Sequence, residues 1–169
     1  MTEAPREDSD SQPGEDPPPE VGPADPRGDA YSWYRRGLDL LGRGSPAAAA
    51  QLLGRVAEAE PESRSVLEAL GRAQFDAGRY AAAADSFRRI VEASPSDDYA
   101  QFGLGLSLAR GGDPAAAAEH LALAVAMRPE LPHYSKALRG VRATLQARSG
   151  DDEPPGGRAW PGAPREGTG

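Results

Sequence analysis

The stretches Pro46-Ala-Ala-Ala-Ala50, Tyr80-Ala-Ala-Ala-Ala84 and Pro114-Ala-Ala-Ala-Ala118 decide the fold. Each begins 34 residues after the one before it. The same spacing joins Gly37, Gly71 and Gly105, then Gly44, Gly78 and Gly112, then Pro61, Pro95 and Pro129. Four landmarks on one period exclude compositional accident, even in an alanine-rich chain. A fixed period of this size is the signature of stacked supersecondary units.

Within a unit the pattern reads as two helices. Helical patterning starts near Asp29 or Ala30, with Trp33, Gly37 and Leu40 on one face. Gly42, Gly44 and Ser45 punctuate, and Ser45 before Pro46 reads as an N-cap with proline at the first helical position. The second helix runs to about Glu58 with Ala49, Leu53 and Val56 inward, and Pro61 closes the unit. The second unit places Leu67, Leu70, Gly71 and Gln74 on one face, turns at Gly78, and lines its second helix with Ala83, Phe87 and Ile90. The third repeats this with Leu104, Gly105 and Leu108, then Ala117, Leu121 and Ala124, and Asp113 caps before Pro114. A helical glycine costs about 1 kcal/mol relative to alanine. Glycine and alanine recurring at fixed places therefore imply close helix approach, with larger residues filling the wider parts of the interface. Residues 132–148 add a seventh helix, with Tyr134, Leu138, Val141 and Leu145 on one face. His133, Lys136, Arg139, Arg142 and Gln146 lie on the other, as a terminal cap on a stack requires.

The net charge of −7 divides as −6 over residues 1–28, +1 over 29–149 and −2 over 150–169. The acidity belongs to the ends. Residues 1–28 carry almost no large apolar side chain and include Pro17-Pro18-Pro19, so they read as a disordered acidic tail. Residues 150–169, rich in glycine and proline, read the same way. The middle has scattered basic residues rather than a stripe, which argues against nucleic acid. The start, MTEAPREDSD, has no apolar core of a secretory signal. No stretch approaches the ~20 apolar residues of a membrane helix, so the expected location is the cytoplasm without membrane contact. The chain has no cysteine, which removes disulfides and thiolate chemistry. Arginine far outnumbers the single Lys136, and with the Ala, Gly and Pro load this suggests a GC-rich bacterial genome of actinobacterial type.

These residues carry a resemblance. The tetratricopeptide repeat (TPR) has 34 residues patterned W-x2-L-G-x2-Y, A-x3-F, then P. Trp33 matches the Trp, Leu70-Gly71 and Leu104-Gly105 match L-G, Ala83 and Phe87 match A-x3-F, and Pro61, Pro95 and Pro129 match the closing Pro. Ala49/Leu53 and Ala117/Leu121 are conservative versions. The chain departs from the pattern at Arg36, where Leu is expected, at Leu67 and Gln101, where Trp is expected, and at Gln74, where Tyr is expected. The chain thus resembles a small member of this family over about 30–131 plus the cap. The resemblance implies an all-α fold: repeats 30–63, 64–97 and 98–131, each two antiparallel helices, and a capping helix 132–148. Together these would form a short right-handed superhelical solenoid over 29–149. The first repeat has no capping helix before Tyr31 and Trp33.

In this family the first helix of each repeat lines a concave groove that binds peptides or partner proteins. The groove places implied here are Tyr31, Tyr34, Leu38, Leu41 and Gly42 in the first repeat. Ser65, Glu68, Arg72, Phe75 and Asp76 follow in the second, and Tyr99, Phe102, Leu106, Ala109 and Arg110 in the third. The cap adds His133 and Lys136. Some of these, Leu38, Leu41 and Leu106 foremost, have the alternative of packing on neighbouring helices. Relatives that clamp chaperone tails use Lys, Asn and Arg where this chain has aromatic and aliphatic residues. The expected ligand is therefore an apolar or amphipathic peptide segment, with Arg72, Arg110, His133 and Lys136 available to orient its acidic groups.

The leading expectation is a non-catalytic scaffold or adaptor without cofactor or metal. The alternative is a self-associating protein whose groove is filled by another copy or by the chain's own C-terminal tail, where Trp160 is the large aromatic. His120 and His133 are the only histidines, and His120 reads as outward-facing. No Ser/His/Asp set, metal cluster or phosphate loop is apparent. Asp97-Asp98 and Asp151-Asp152 read as helix-start charges and tail acids.

Overall fold

Apolar side chains three and four residues apart form one stripe per helix, and a stripe needs a partner to leave water. The computed structural model describes the backbone of residues 26–151 and the side chains of 29–149. It contains α1 (Pro26–Gly42), α2 (Pro46–Ala59), α3 (Arg64–Asp76), α4 (Tyr80–Ala93), α5 (Asp98–Gly111), α6 (Pro114–Met127) and α7 (Pro132–Asp151). Among the described residues there is no strand. Each helix packs on the next, and the odd-numbered ones also touch each other in turn, α1 to α3, α3 to α5 and α5 to α7. The even-numbered helices do not touch one another. The odd set therefore lines the tighter, concave side of a helical solenoid.

Each pair turns at a glycine in the left-handed region, with φ of 73° at Gly44, 75° at Gly78 and 97° at Gly112, where a side chain would be strained. The helical glycines have a different task. A Cβ on Gly37 would lie 2.7 Å from Leu53, on Gly71 2.8 Å from Phe87, and on Gly105 2.7 Å from Leu121. The glycine of each first helix thus receives the large residue of its partner helix. Those large residues are buried, as are Ala49, Ala83 and Ala117 one turn earlier. Burying a leucine fully stabilises by roughly 2 kcal/mol.

Successive pairs join through a second register. Val66, Ala69, Leu70 and Ala73 of α3 share a cluster with α2. The same places on α5 hold Ala100, Gly103, Leu104 and Ser107, all buried, and on α7 Tyr134, Ala137, Leu138 and Val141. On α1 they hold Ser32, Arg35, Arg36 and Asp39, all exposed. Arg36, which breaks the family pattern, therefore sits at the outer end of the stack, where no described repeat precedes it. At the other end Arg139 takes the place of Gly37, Gly71 and Gly105 and is exposed. Both ends of the described stack carry charged side chains where the inner helices carry apolar or small ones.

Polar ties join the pairs. Arg64 at the start of α3 donates to Asp97 at the start of α5, and Asp97 caps its own helix by accepting from the Ala100 amide at 3.0 Å. Burial acts to raise the Asp97 pKa, but those two hydrogen bonds outweigh it and hold the carboxyl below its ordinary value. The Tyr134 hydroxyl donates to Asp98 at 2.8 Å. Burial, reinforced by that contact, pushes its phenol well above the usual range.

Five expectations need correction. α1 begins at Pro26, inside the stretch read as tail, because proline is tolerated in a helix's first turn. α7 runs three residues past 148, to Asp151. Trp33 is 42% exposed rather than inward. Its counterpart Gln101 is enclosed by the preceding turn, donating to the Pro95 carbonyl at 2.9 Å, and no described turn precedes α1. Ser45 occupies the N-cap position but its hydroxyl makes no cap bond. The longer Asp113 carboxylate does, accepting from Ala116 at 3.0 Å. His120 is half-buried, with Nδ1 2.7 Å from the Gln101 Oε1, rather than facing out. Gln101 Nε2 is committed to Pro95, so His120 Nδ1 is the donor and Gln101 Oε1 the acceptor. The tail readings over 1–25 and 152–169, Trp160 included, lie outside the described residues.

Candidate functional site

The 34-residue period puts the same face of α1, α3, α5 and α7 toward the concave side. Between the C-terminal half of α3 and the first two turns of α5 that face opens into a cleft of about 210 Å³. Arg72, Phe75 and Asp76 form one wall, and Tyr99, Phe102 and Leu106 the other. Phe87 and Gly103 complete the lining. A Cβ on Gly103 would lie 2.6 Å from the Phe87 ring, so the absent side chain is what lets this α4 residue reach the concave surface.

The walls are aromatic and mutually braced. Phe75 meets Tyr80 edge-on at 5.4 Å, and Tyr99 meets Phe87 edge-on at 6.4 Å. Phe102 stacks on Tyr134 of α7 at 4.3 Å and 22°, with His133 edge-on at 5.3 Å. Such pairs add about 0.5–1.5 kcal/mol beyond area burial, so the walls are held in shape without a ligand. Burial pushes the Tyr99 phenol above its ordinary pKa. Arg72 and Asp76 stand exposed one turn apart at the rim, opposite charges beside an apolar interior.

Six of the seventeen sequence-derived groove places meet at this cleft: Arg72, Phe75, Asp76, Tyr99, Phe102 and Leu106. Tyr31 and Tyr34 line a separate shallow hollow of about 200 Å³ with Ala30, Ser63, Ser65 and Val66. Leu38 and Leu41 pack on the α1–α2 core and are half-buried. Glu68 pairs with Arg64 at 3.1 Å. Arg110, His133 and Lys136 are exposed and outside the cleft. The residues missed are Phe87, read only as core, and Gly103, which lies outside the recurring glycine set.

The tetratricopeptide repeat model matches residues 34–98 and 92–132, more than half of the chain. The chain belongs to this family. As a TPR protein it has structural counterparts at low identity. MamA from Desulfovibrio magneticus RS-1 aligns at 21% identity and a TM-score of 0.67, over 72% of this chain and 69% of that one. The first TPR domain of Spaghetti (RPAP3), solved with the HSP90 peptide SRMEEVD, aligns at 16% and 0.64, over 69% and 93%. The O-GlcNAc transferase of Thermobaculum terrenum aligns at 22% and 0.60, over 68% of this chain and 22% of that one. At these identities the likeness concerns the fold. No curated protein matches this chain.

The family pattern also explains the polar departures. Gln74, at the Tyr place, accepts from the Ser86 hydroxyl at 2.6 Å. Gln101, at a Trp place, holds His120 and Pro95 together. Among the described residues no buried side-chain polar atom lacks a partner. No group of three or more His, Cys, Asp or Glu is placed there to hold a metal, and no helix there is long and apolar enough to cross a membrane.

Proposed function

We propose that this TPR protein is a non-catalytic adaptor whose α3–α5 cleft takes one bulky apolar side chain of a partner peptide. The observation that supports this is the cleft itself: about 210 Å³, walled by Phe75, Tyr99, Phe102 and Leu106, closed below by Phe87 and rimmed by Arg72 and Asp76. That is the scale of a single Leu, Phe or Trp side chain, and preformed apolar pockets with a few charged groups are what peptide anchors use. The rim charges would fix the direction of the flanking backbone. The fold is shared with a domain solved bound to the HSP90 peptide SRMEEVD. Here the groove is aromatic rather than a row of cations, which favours an apolar anchor over an acidic chaperone tail. We place this activity in the cytoplasm.

The test avoids Phe102, whose stacking on Tyr134 makes it structural. Arg72→Glu with Phe75→Glu alters the rim and one wall, both on the accessible side. A panel of labelled peptides carrying a single Leu, Phe or Trp in neutral or acidic context is titrated by anisotropy. Affinity capture from cell lysate runs in parallel. The double variant, with unchanged helical circular dichroism, should lose at least tenfold in affinity for the panel's best binder. Equal binding by both proteins would remove the cleft from consideration.

A further inference from the structure

The three second helices present the same face to the convex surface, and one of them differs. Arg55 of α2 and Arg89 of α4 are exposed; the equivalent residue of α6 is Leu123, 48% exposed. Glu58 and Glu92 correspond to Ala126, and Arg88 to Ala122. With Ala115 these form an apolar strip along α6, interrupted by Glu119 one turn before Leu123. Of the large apolar side chains in the described residues, only Tyr31, Trp33 and Leu123 are exposed. Charge at these positions keeps a convex face in water; on α6 leucine and alanine stand in its place and leave an apolar strip open to a covering segment.

We propose that the covering segment is this chain's own Arg158-Ala-Trp160-Pro161. Two contacts fix where the chain outside the described residues sets off. Tyr134 at the start of α7 bonds Asp98 at the start of α5 (2.8 Å), and Arg148 near its end reaches the Gly112 carbonyl after α5 (3.5 Å). α7 therefore runs alongside α5, and its last turn lies beside the start of α6. Leu123 is eight residues along α6 from Ala115, about 12 Å at 1.5 Å per residue. Trp160 is nine residues beyond Asp151, a reach of up to about 30 Å. Trp160 is the one large apolar residue of 152–169, and Arg158 before it has the charge to meet Glu119 before Leu123. A second copy fits less well: a strip three turns long, mostly alanine, falls short of the ~800 Å² per partner of a stable interface. A tethered segment needs far less area, because its effective concentration is on the order of millimolar.

The site is separate from the concave cleft, and its test does not depend on ligand binding. In a Trp33→Phe background Trp160 is the sole tryptophan. Its emission should lie to the blue of the peptide 152–169 and be protected from acrylamide. Leu123→Glu, at a position too exposed to carry the fold, should shift the emission to the red and raise quenching severalfold. In amide spectra of the full chain against a chain ending at 151, changes should fall on Ala115, Glu119, Leu123 and Ala126. Changes on Tyr99, Phe102 and Leu106 instead would overturn the proposal in favour of tail binding in the cleft. A concentration-dependent mass abolished by Leu123→Glu would overturn it in favour of a second copy. Solvent-like Trp160 emission insensitive to Leu123→Glu would overturn it altogether.

Discussion

Gly103→Ala is the sharpest probe of how consecutive repeats fit. Alanine is the better helix former by about 1 kcal/mol, so without tertiary contacts the substitution would stabilise α5. The new Cβ would lie 2.6 Å from two atoms of the Phe87 ring and 2.8 Å from a third. The ring has little room to retreat, because its other edge lies against the Gly71 backbone, where an added Cβ would come within 2.8 Å. Overpacking of this kind costs about 1–3 kcal/mol, and the tightness here puts it toward the upper end. The net expectation is a loss of roughly 1–2 kcal/mol, lowering Tm by roughly 2–8 °C at this chain length. Gly140→Ala on α7 is the control: nothing lies within 4 Å of its added Cβ, so it should gain about 1 kcal/mol. The comparison isolates packing from propensity. The equivalent pairs Leu53/Ala69 and Leu121/Ala137 supply the rescue: Phe87→Leu in the Gly103→Ala background should recover stability, with a coupling energy of at least about 1 kcal/mol by urea denaturation. Gly103→Ala and Gly140→Ala behaving alike, or a cycle with no coupling, would refute the size-matching argument.

His120 gives a pH signature. Burial lowers its pKa below 6.5, so as pH falls under that value the unfolded chain takes up the proton before the folded one does. Stability should be full above pH ~6.5 and decline below it, and His120→Gln should flatten that part of a Tm-versus-pH curve; an unchanged slope would count against it. The two cap positions separate by side chain. Asp113→Ala should cost about 1 kcal/mol and Ser45→Ala close to none, measured by chemical denaturation, because only Asp113 accepts an amide bond. Arg35→Ala with Arg36→Leu makes the α1 end resemble the buried faces of α3 and α5. Sedimentation velocity should then detect concentration-dependent association absent from the parent chain, and a variant with the parent's profile would argue that these arginines do not seal the stack.

The architecture was legible because it is written once per repeat. Gly37, Gly71 and Gly105 report a contact inside each unit, so the period alone exposes it. What joins unlike units is harder to read. Phe87 lines the cleft only because Gly103, in the next repeat, lacks a side chain, and neither residue signals this within its own unit. Trp33 matched the family pattern but opens to solvent, because enclosure at that place depends on a preceding turn. Arg36 looked like a flaw in the pattern until the position it occupies at the end of the stack gave it a reason. His120, one of two polar residues on an otherwise apolar helix, reads as outward because its acceptor Gln101 lies in another element.

The two ends of the stack are tied down unequally. α7 is stitched to the body by Tyr134 on Asp98 and Arg148 on Gly112. Among the described residues, the side-chain hydrogen bonds around α1 stay within its own stretch: Ser32 to Asp29, Arg35 to Tyr31 and Arg43 to Asp39. In a nearest-neighbour array, opening begins at the end with the weakest interface. Amide exchange should therefore run from α1 inward, fastest around Tyr31 and Tyr34 and slowest across α4 to α6. The concave surface is then a graded one: rigid where Tyr99 and Phe102 stand, and yielding toward α1, where a long ligand would have to supply the order that the cleft already has.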